Sequence, residues 1–332
     1  MSVIRQDPTT REWVVIAPER WRRPHDLPAP ARPAPRPSRD PACPFCPGNE
    51  HQTPGELLRL HDPAHGGWAV RVVPNKFAVL QPGPDVGRRE AGPLFREMAG
   101  VGHHEVIVET PAHDGVLAAR SEDEIARILE AYQARYLAVR ADPHVQYVII
   151  FKNHGEGAGT SLAHPHSQLV ATPIAPLRMR RQHEVAAAYF DDTGRCLYDD
   201  LVEDELRTGT RVVLETEAFV VIHPFASRAV FETWIMPRRA QPSFGQASPA
   251  DRRALAGVLR RTLAGLGRAL GEPDFNYIVH SAPTTDEHKA YFRWHVQILP
   301  RTSVAGFELG SGIYISSAMP EESAAALRGL VS

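Results

Sequence analysis

Three side chains spaced two residues apart, His164, His166 and Gln168, follow a glycine-rich run, Gly155-Glu156-Gly157-Ala158-Gly159. Residues at i, i+2 and i+4 of a strand share a face, so this spacing sets two imidazoles and an amide in a row, while Pro165, Ser167 and Leu169 point the other way. A single strand histidine is ordinarily a hydrogen-bonded packing residue. Two of them beside an amide, each needing its own partner if buried, read instead as a working surface. The glycine run can turn backbone N–H groups toward an anion, and phosphate is the expected one. Pro165 has no ladder donor, so the strand is expected either to lie at a sheet edge or to open at that residue.

A second group with chemical potential is Cys43-Pro44-Phe45-Cys46-Pro47-Gly48-Asn49. A redox pair of the thioredoxin kind should open a helix after a strand, whereas here prolines precede the pair and Pro-Gly follows it. A zinc half-site suits a loop better but needs two more ligands. Cys196 has no neighbour at ligand spacing, so histidines must complete the set.

The elements that position these groups follow from the hydrophobic pattern. The run Trp13-Val14-Val15-Ile16, after the turn-like Asp7-Pro8-Thr9-Thr10, predicts a hairpin or edge strand. Basic residues Arg20, Arg22 and Arg23 follow, of the type suited to bidentate phosphate contacts. From Pro24 to Pro47 nine of 24 residues are proline, which predicts an extended connection. Residues 69–80 read as strand, a break at Pro74-Asn75, then strand again at Phe77–Leu80. Glu105–Glu109 is a further strand, and it runs into Thr110-Pro111-Ala112-His113. Ser121-x-x-Glu124 is a capping box opening a helix that carries Ile125, Ile128, Leu129, Tyr132 and Tyr136. Residues 145–151 form the strand that leads into the glycine run.

The same order recurs in the second half. Phe219–Ile222 answers Phe77–Leu80, and Phe231–Pro237 answers the strand ending at Pro111. Ser248-x-x-Asp251 opens a second helix with Leu255, Val258, Leu259, Leu266 and Leu270. The lags are 127 residues from Ser121 to Ser248, 130 from Tyr147 to Tyr277 and 129 from His166 to His295. Such agreement predicts duplication of one α+β unit. The copies differ at the chemistry, since Arg293 stands where His164 would be and the second half has no cysteine pair. Between the copies a helix is expected around Leu177–Phe190. The glycine-rich tail 306–312 is expected to be a loop returning over a pocket, with a short helix from Pro320.

Bulk properties narrow the class. The 332 residues, 43% of them hydrophobic, support a large core, and a net charge of −2 argues against nucleic acid or a membrane surface as a partner. Three cysteines, without a disulfide framework, fit a reducing compartment, and the start MSVIRQDPTT has no apolar signal core. A cytoplasmic protein is expected.

Taken together, the cysteine pair with Pro-Gly-Asn, Pro111-x-His113, Asn153 with Gly159 and Ser161, and His164-Pro165-His166-x-Gln168 resemble the histidine-triad superfamily. They are similar above all to its nucleotidylyltransferase branch, typified by galactose-1-phosphate uridylyltransferase. The resemblance covers nearly the whole chain. It implies an α+β fold of duplicated histidine-triad-like units, antiparallel sheets with packed helices. Residues 1–175 would be the catalytic repeat with the zinc site and 176–332 a degenerate repeat, in a homodimer with sites near the subunit interface. It also implies that His166 is the nucleophile, Gln168 its phosphoryl-binding neighbour, and Cys43, Cys46, His113 and His164 the zinc ligands. Asn75, Asn153, Gly159 and Ser161 would bind nucleotide, Arg20 and Arg23 would reach phosphate from the partner, and Glu308 would contact the hexose. Ser167 stands where many members have glycine or cysteine, and a second metal site found in some members needs a histidine where this chain has Arg293.

The implied activity moves UMP from UDP-glucose to galactose 1-phosphate through a nucleotidyl-histidine. The tail GFELGSGIYIS also looks similar to the ADP-glucose phosphorylase branch, which hands its nucleotidyl group to inorganic phosphate. A non-enzymatic nucleotide sensor is a third class, but sensing does not require a His-x-Gln pair. The residue types suit the chemistry. A neutral imidazole, with an ordinary pKa of about 6.5, needs no partner base once a carbonyl holds one nitrogen. A phosphate leaving group needs no general acid, and an amide can donate to a phosphoryl oxygen without shuttling a proton. Two thiolates and two imidazoles would fill the metal's coordination sphere, making the zinc structural.

Overall fold

The computed structural model describes residues 1–22, 36–63, 66–301 and 306–331. The chain opens with an antiparallel pair, β1 (Val3–Gln6) and β2 (Trp13–Ile16). Beyond the cysteine loop come β3 (Leu58–His61), β4 (Trp68–Pro74), the hairpin of β5 (Arg88–Glu90) and β6 (Arg96–Met98), and β7 (His103–Val108). Helix α1 (Glu122–Arg140) leads to β8 (Tyr147–His154) and β9 (His166–Thr172). The second half contains α2 (Leu177–Thr193), α3 (Leu197–Thr208), β10 (Val212–Glu215), β11 (Phe219–Ile222), β12 (Thr233–Pro237), α4 (Pro249–Leu270), β13 (Phe275–His280) and β14 (His295–Pro300). It ends with α5 (Gly306–Ser311), β15 (Tyr314–Ser316) and α6 (Pro320–Arg328).

Ten strands form one antiparallel sheet in the order β10-β11-β12-β14-β13-β8-β9-β7-β4-β3. Counted outward from the β13–β8 pair, the two sides repeat: β14 answers β9, β12 answers β7, β11 answers β4 and β10 answers β3. The duplicated α+β architecture is therefore present, with both units sharing one sheet. Two details of the expected alignment change. The counterpart of β11 is β4, because Phe77–Leu80 forms no strand; Phe77 and Val79 are 83% and 69% exposed. Leu169 pairs with Ile150 and Ile298 with Tyr277, so Tyr277 answers Ile150 rather than Tyr147.

Both capping boxes form as the sequence dictates. Ser121 accepts from Glu124 N–H at the start of α1, and Ser248 does so from Asp251 N–H at the start of α4. The two helices pack together on one face of the sheet, burying Ile125, Ile128 and Leu129 with Leu255, Val258 and Leu259 against Ile107, Ile150 and Leu169. Strand alternation then turns Val106, Val108, His166 and Gln168 to the opposite face.

Strand β9 is not at an edge. It pairs with β8 on one side and β7 on the other, and Pro165 sits immediately before its first ladder residue. The missing N–H falls outside the ladder, while the Pro165 carbonyl accepts from Glu109 N–H at 3.1 Å. Residues 36–47 make a series of turns rather than an extended run, and residues 24–35 of the expected connection lie outside the described residues. Helix α2 falls where a helix was expected, and α3 is additional. The glycine-rich tail forms α5 instead of a loop, and β15 then joins β2 in parallel.

Candidate active site and metal centre

The cysteine loop, the segment after β7 and the approach to β9 converge on four buried ligand groups. One ligand atom each from Cys43, Cys46, His113 and His164 lies within 4.8 Å of all the others. His164 Nδ1 is 3.7 Å from Cys43 Sγ and 3.6 Å from Cys46 Sγ, and His113 Nδ1 is 3.5 Å from Cys46 Sγ. A tetrahedral ion at zinc's usual bond lengths, about 2.3 Å to sulfur and 2.0–2.1 Å to nitrogen, would set S···N at about 3.6 Å. The residues fit such an ion. His164 Nε2–H donates to Thr110 O at 2.8 Å, which leaves the Nδ1 lone pair facing the sulfurs, and burial holds its pKa down to about 4. Asp40 N–H donates to Cys46 Sγ at 3.3 Å. Burial raises the Cys43 thiol above its ordinary value, a bias that a bound cation would reverse. The pair lies in turns and opens no helix, so the thioredoxin-like arrangement is absent.

His166 begins β9 and is 6% exposed. Its Nδ1–H donates to the His164 carbonyl at 2.8 Å, leaving the Nε2 lone pair free. Burial is the main cause lowering its pKa, so the ring is neutral near pH 7. His166 and Gln168 line a cavity of about 770 Å³ with Asn75, Ser161, Phe45 and Phe77. The Phe45 ring meets His166 edge-on at 5.5 Å. An imidazole, an amide and apolar ring surfaces thus share one cleft beside a cysteine loop that could hold a metal, a combination suited to attack on a phosphoryl group.

Behind β9, Ser167 points away from the cavity as its parity requires. It donates to Glu109, which also accepts from Lys152 Nζ at 2.6 Å and from Tyr132 Oη at 3.2 Å. Lys152 also donates to the His166 carbonyl at 3.1 Å, and Tyr277 of the second half meets Tyr132 at 2.5 Å. Burial raises the Glu109 pKa, but Lys152 and the hydrogen bonds prevail and hold it below the ordinary value. This charged network fastens the strand of His166 to both neighbours.

Other expected positions are placed differently. The glycine run does bind an anion, but it is the chain's own: Gly157 N–H donates to Asp274 Oδ2 at 2.7 Å. Asn153 and Gly159 do not line the cavity; the Asn153 amide donates to Gly159 O at 3.4 Å and accepts from Asn276 at 2.7 Å. Arg20 lies in the turn Pro18–Arg22 and Glu308 on α5, where its carboxylate accepts from Ile315 N–H at 3.0 Å, and neither lines the cavity. Arg23 lies outside the described residues. Sequence reasoning missed Phe45, which stood between the two cysteines, and His104, whose β7 parity with Val106 was the available signal.

The fold and site together define an enzyme of the nucleotidyltransferase class, built from duplicated α+β units. The chain belongs to the galactose-1-phosphate uridylyltransferase family. Residues 1–176 match the family model for "Galactose-1-phosphate uridyl transferase, N-terminal domain", and residues 112–328 match a domain of unknown function, DUF4921. The chain is 34% identical to ADP-glucose phosphorylase of Arabidopsis thaliana, over 98% of this chain and 92% of the relative. It is 28% identical to galactose-1-phosphate uridylyltransferase of Thermotoga maritima, over 99% and 98%. Among solved structures, an ADP-glucose phosphorylase from Arabidopsis thaliana with bound ADP-glucose superposes with a TM-score of 0.83 at 30% identity, covering 99% and 98% of the two chains. A uridylyltransferase superposes with a TM-score of 0.76 at 27% identity, covering 100% and 98%.

Proposed function

We propose that the protein transfers a nucleotidyl group from a nucleotide sugar by two displacements through His166. The observation that carries this reading is the free Nε2 of His166, aimed into a cavity with Gln168 beside it while Nδ1 is held by a carbonyl. In the first displacement the Nε2 lone pair attacks the α-phosphorus and the P–O bond to the β-phosphate breaks, releasing sugar 1-phosphate. Gln168 donates an amide N–H to a non-bridging oxygen. In the second, an acceptor phosphate oxygen attacks the nucleotidyl-histidine and returns the imidazole neutral.

The similarity to ADP-glucose phosphorylase favours ADP-glucose as donor and inorganic phosphate as acceptor, giving ADP and glucose 1-phosphate. The match of residues 1–176 to the uridylyltransferase model supports a second pairing, UDP-glucose with galactose 1-phosphate. The ion fitted by Cys43, Cys46, His113 and His164 is zinc in this reading. Its four protein donors leave no open position, and it braces β9 against the cysteine loop. Residues 1–175 are the catalytic repeat and 176–332 the degenerate one. In a homodimer, Arg20, Arg23 and Glu308 of one copy would serve the other's cavity, with Asn75 and Ser161, which line it, at its nucleotide end. No helix among the described residues is long and apolar enough to cross a membrane, and a cytoplasmic setting is proposed.

The test is incubation with ADP-glucose or UDP-glucose, mass spectrometry for AMP or UMP on His166, and then chase with phosphate or galactose 1-phosphate. An adduct with one base, discharged by one acceptor, assigns the reaction. No adduct with either donor contradicts it.

A further inference from the structure

We infer that His104 is a positioning residue that fixes which end of the Gln168 amide faces the cavity; this rests on the functional reading above. Val79 N–H donates to His104 Nδ1 at 3.1 Å, so that nitrogen is the acceptor and Nε2 carries the proton. His104 Nε2–H then donates to Gln168 Oε1 at 2.8 Å. Asn75 adds a second constraint. Its Oδ1 accepts from Phe77 N–H at 2.9 Å, which turns its Nδ2 to 3.5 Å from Gln168 Oε1 and 3.0 Å from His104 Nε2, so that both N–H groups converge on the one acceptor. The opposite setting of Gln168 would bring three N–H donors, from His104, Asn75 and Gln168, onto one another. Two backbone donors of the irregular segment Asn75–Leu80 therefore dictate, through His104 and Asn75, that Gln168 shows Nε2 to the cavity. A phosphoryl oxygen needs that donor; Oε1 in its place would repel the developing charge.

The second half of the chain supplies an internal contrast. Trp234 pairs with Gln297 as Val106 pairs with Gln168, so two residues earlier Glu232 stands at the counterpart of His104. There the amide is reversed: Gln297 Nε2 donates to Glu232 Oε1 at 2.5 Å, and Gln297 Oε1 accepts from His280 Nε2–H at 3.0 Å. Gln297 is 2% exposed and both ends of its amide are taken. One residue, donor in the first copy and acceptor in the second, decides whether the glutamine can serve a ligand.

The experiment measures single-turnover release of sugar 1-phosphate from ADP-glucose and UDP-glucose by wild type, His104→Glu, His104→Gln and Gln168→Ala, and by His104→Glu combined with Gln168→Ala. His104→Glu installs the second-half arrangement and is expected to slow the saturating rate by about a hundredfold, the usual loss for one such donor, with little change in half-saturating donor concentration. His104→Gln, whose amide nitrogen can take the place of Nε2, restores the rate to within about tenfold of wild type. In the Gln168→Ala background His104→Glu adds less than about threefold, because the two act through one hydrogen bond. His104→Leu removes the donor without adding a carboxylate and is the alternative should His104→Glu not fold; it too is expected to lose its effect in the Gln168→Ala background. The inference is overturned if His104→Glu stays within threefold of wild type, if His104→Gln is no better than His104→Glu, or if the His104 and Gln168 losses multiply. Absence of release by wild type with both donors overturns the functional reading instead, and this inference with it.

Discussion

Replacing Lys152 by Met tests the buried network that holds the strand of His166. The Lys152 and Glu109 side chains are 2% and 1% exposed, and the ammonium also reaches the His166 carbonyl. The substitution keeps the aliphatic volume but leaves the Glu109 carboxylate with only Ser167 and Tyr132 as partners among the described residues. Breaking a buried pair from one side costs about 3–5 kcal/mol, because the remaining charge stays desolvated. The companion variant, Lys152→Met with Glu109→Gln, removes both charges and should recover most of that loss. The pH dependence has a definite sign. In wild type the Glu109 pKa is lowered, so its contribution is present above the ordinary carboxylate range and is lost as pH falls through the lower folded value. Without Lys152, burial raises that pKa, and the variant loses stability as pH rises from the ordinary carboxylate value toward the raised one. The deficit against wild type should therefore shrink between pH 8 and pH 5. Urea unfolding at several pH values, with equal m-values, measures it. A loss below about 1 kcal/mol at pH 8, or a deficit that grows on acidification, refutes the reasoning.

Two further perturbations address the metal centre and the glycine run. Zinc analysis of protein purified without chelator should find about one ion per chain, and Cys43→Ser with Cys46→Ser should abolish it and lower the unfolding midpoint, since the binding free energy of a structural ion is folding free energy. Gly155→Ala should destabilise by more than about 1 kcal/mol, because Gly155 has φ +87° and an added Cβ would lie 1.6 Å from Asp274 Oδ1. Gly66→Ala, also at positive φ (+70°) but with nothing within 4 Å, should cost less, and thermal unfolding of the two proteins compares them.

The sequence was informative wherever a local rule had a single physical solution. Capping boxes at Ser121 and Ser248, the shared face of His166 and Gln168 and the common element order are all of this kind, although His164 precedes the strand and joins the cysteine cluster instead. Groups defined by long-range pairing were not visible. Glu109, Lys152 and Tyr277 are unremarkable strand and loop residues until three segments meet. Asp274 enters the glycine run from 117 residues away. The apolar run Phe77–Leu80 carries strand-like residues, yet its N–H groups serve Asn75 and His104 rather than a ladder. Composition could not foresee that, because the competing acceptors lie on its own turn and on β7. Pro165 pointed correctly to the start of a strand but not to its central place, since a missing donor outside the ladder constrains nothing beyond it.

The most direct test of the account is single-turnover release of glucose 1-phosphate from ADP-glucose or UDP-glucose, without acceptor, by wild type and by His166→Gly. The substitution removes the only side chain in the cleft proposed to form a bond, while the fold should tolerate it at a cost of about 1 kcal/mol. Wild type should give a burst of about one equivalent per site with a nucleotidyl group on His166. His166→Gly should give none, and added imidazole should restore slow turnover by filling the vacated space. A stoichiometric burst from His166→Gly would place the nucleophile elsewhere and contradict the account.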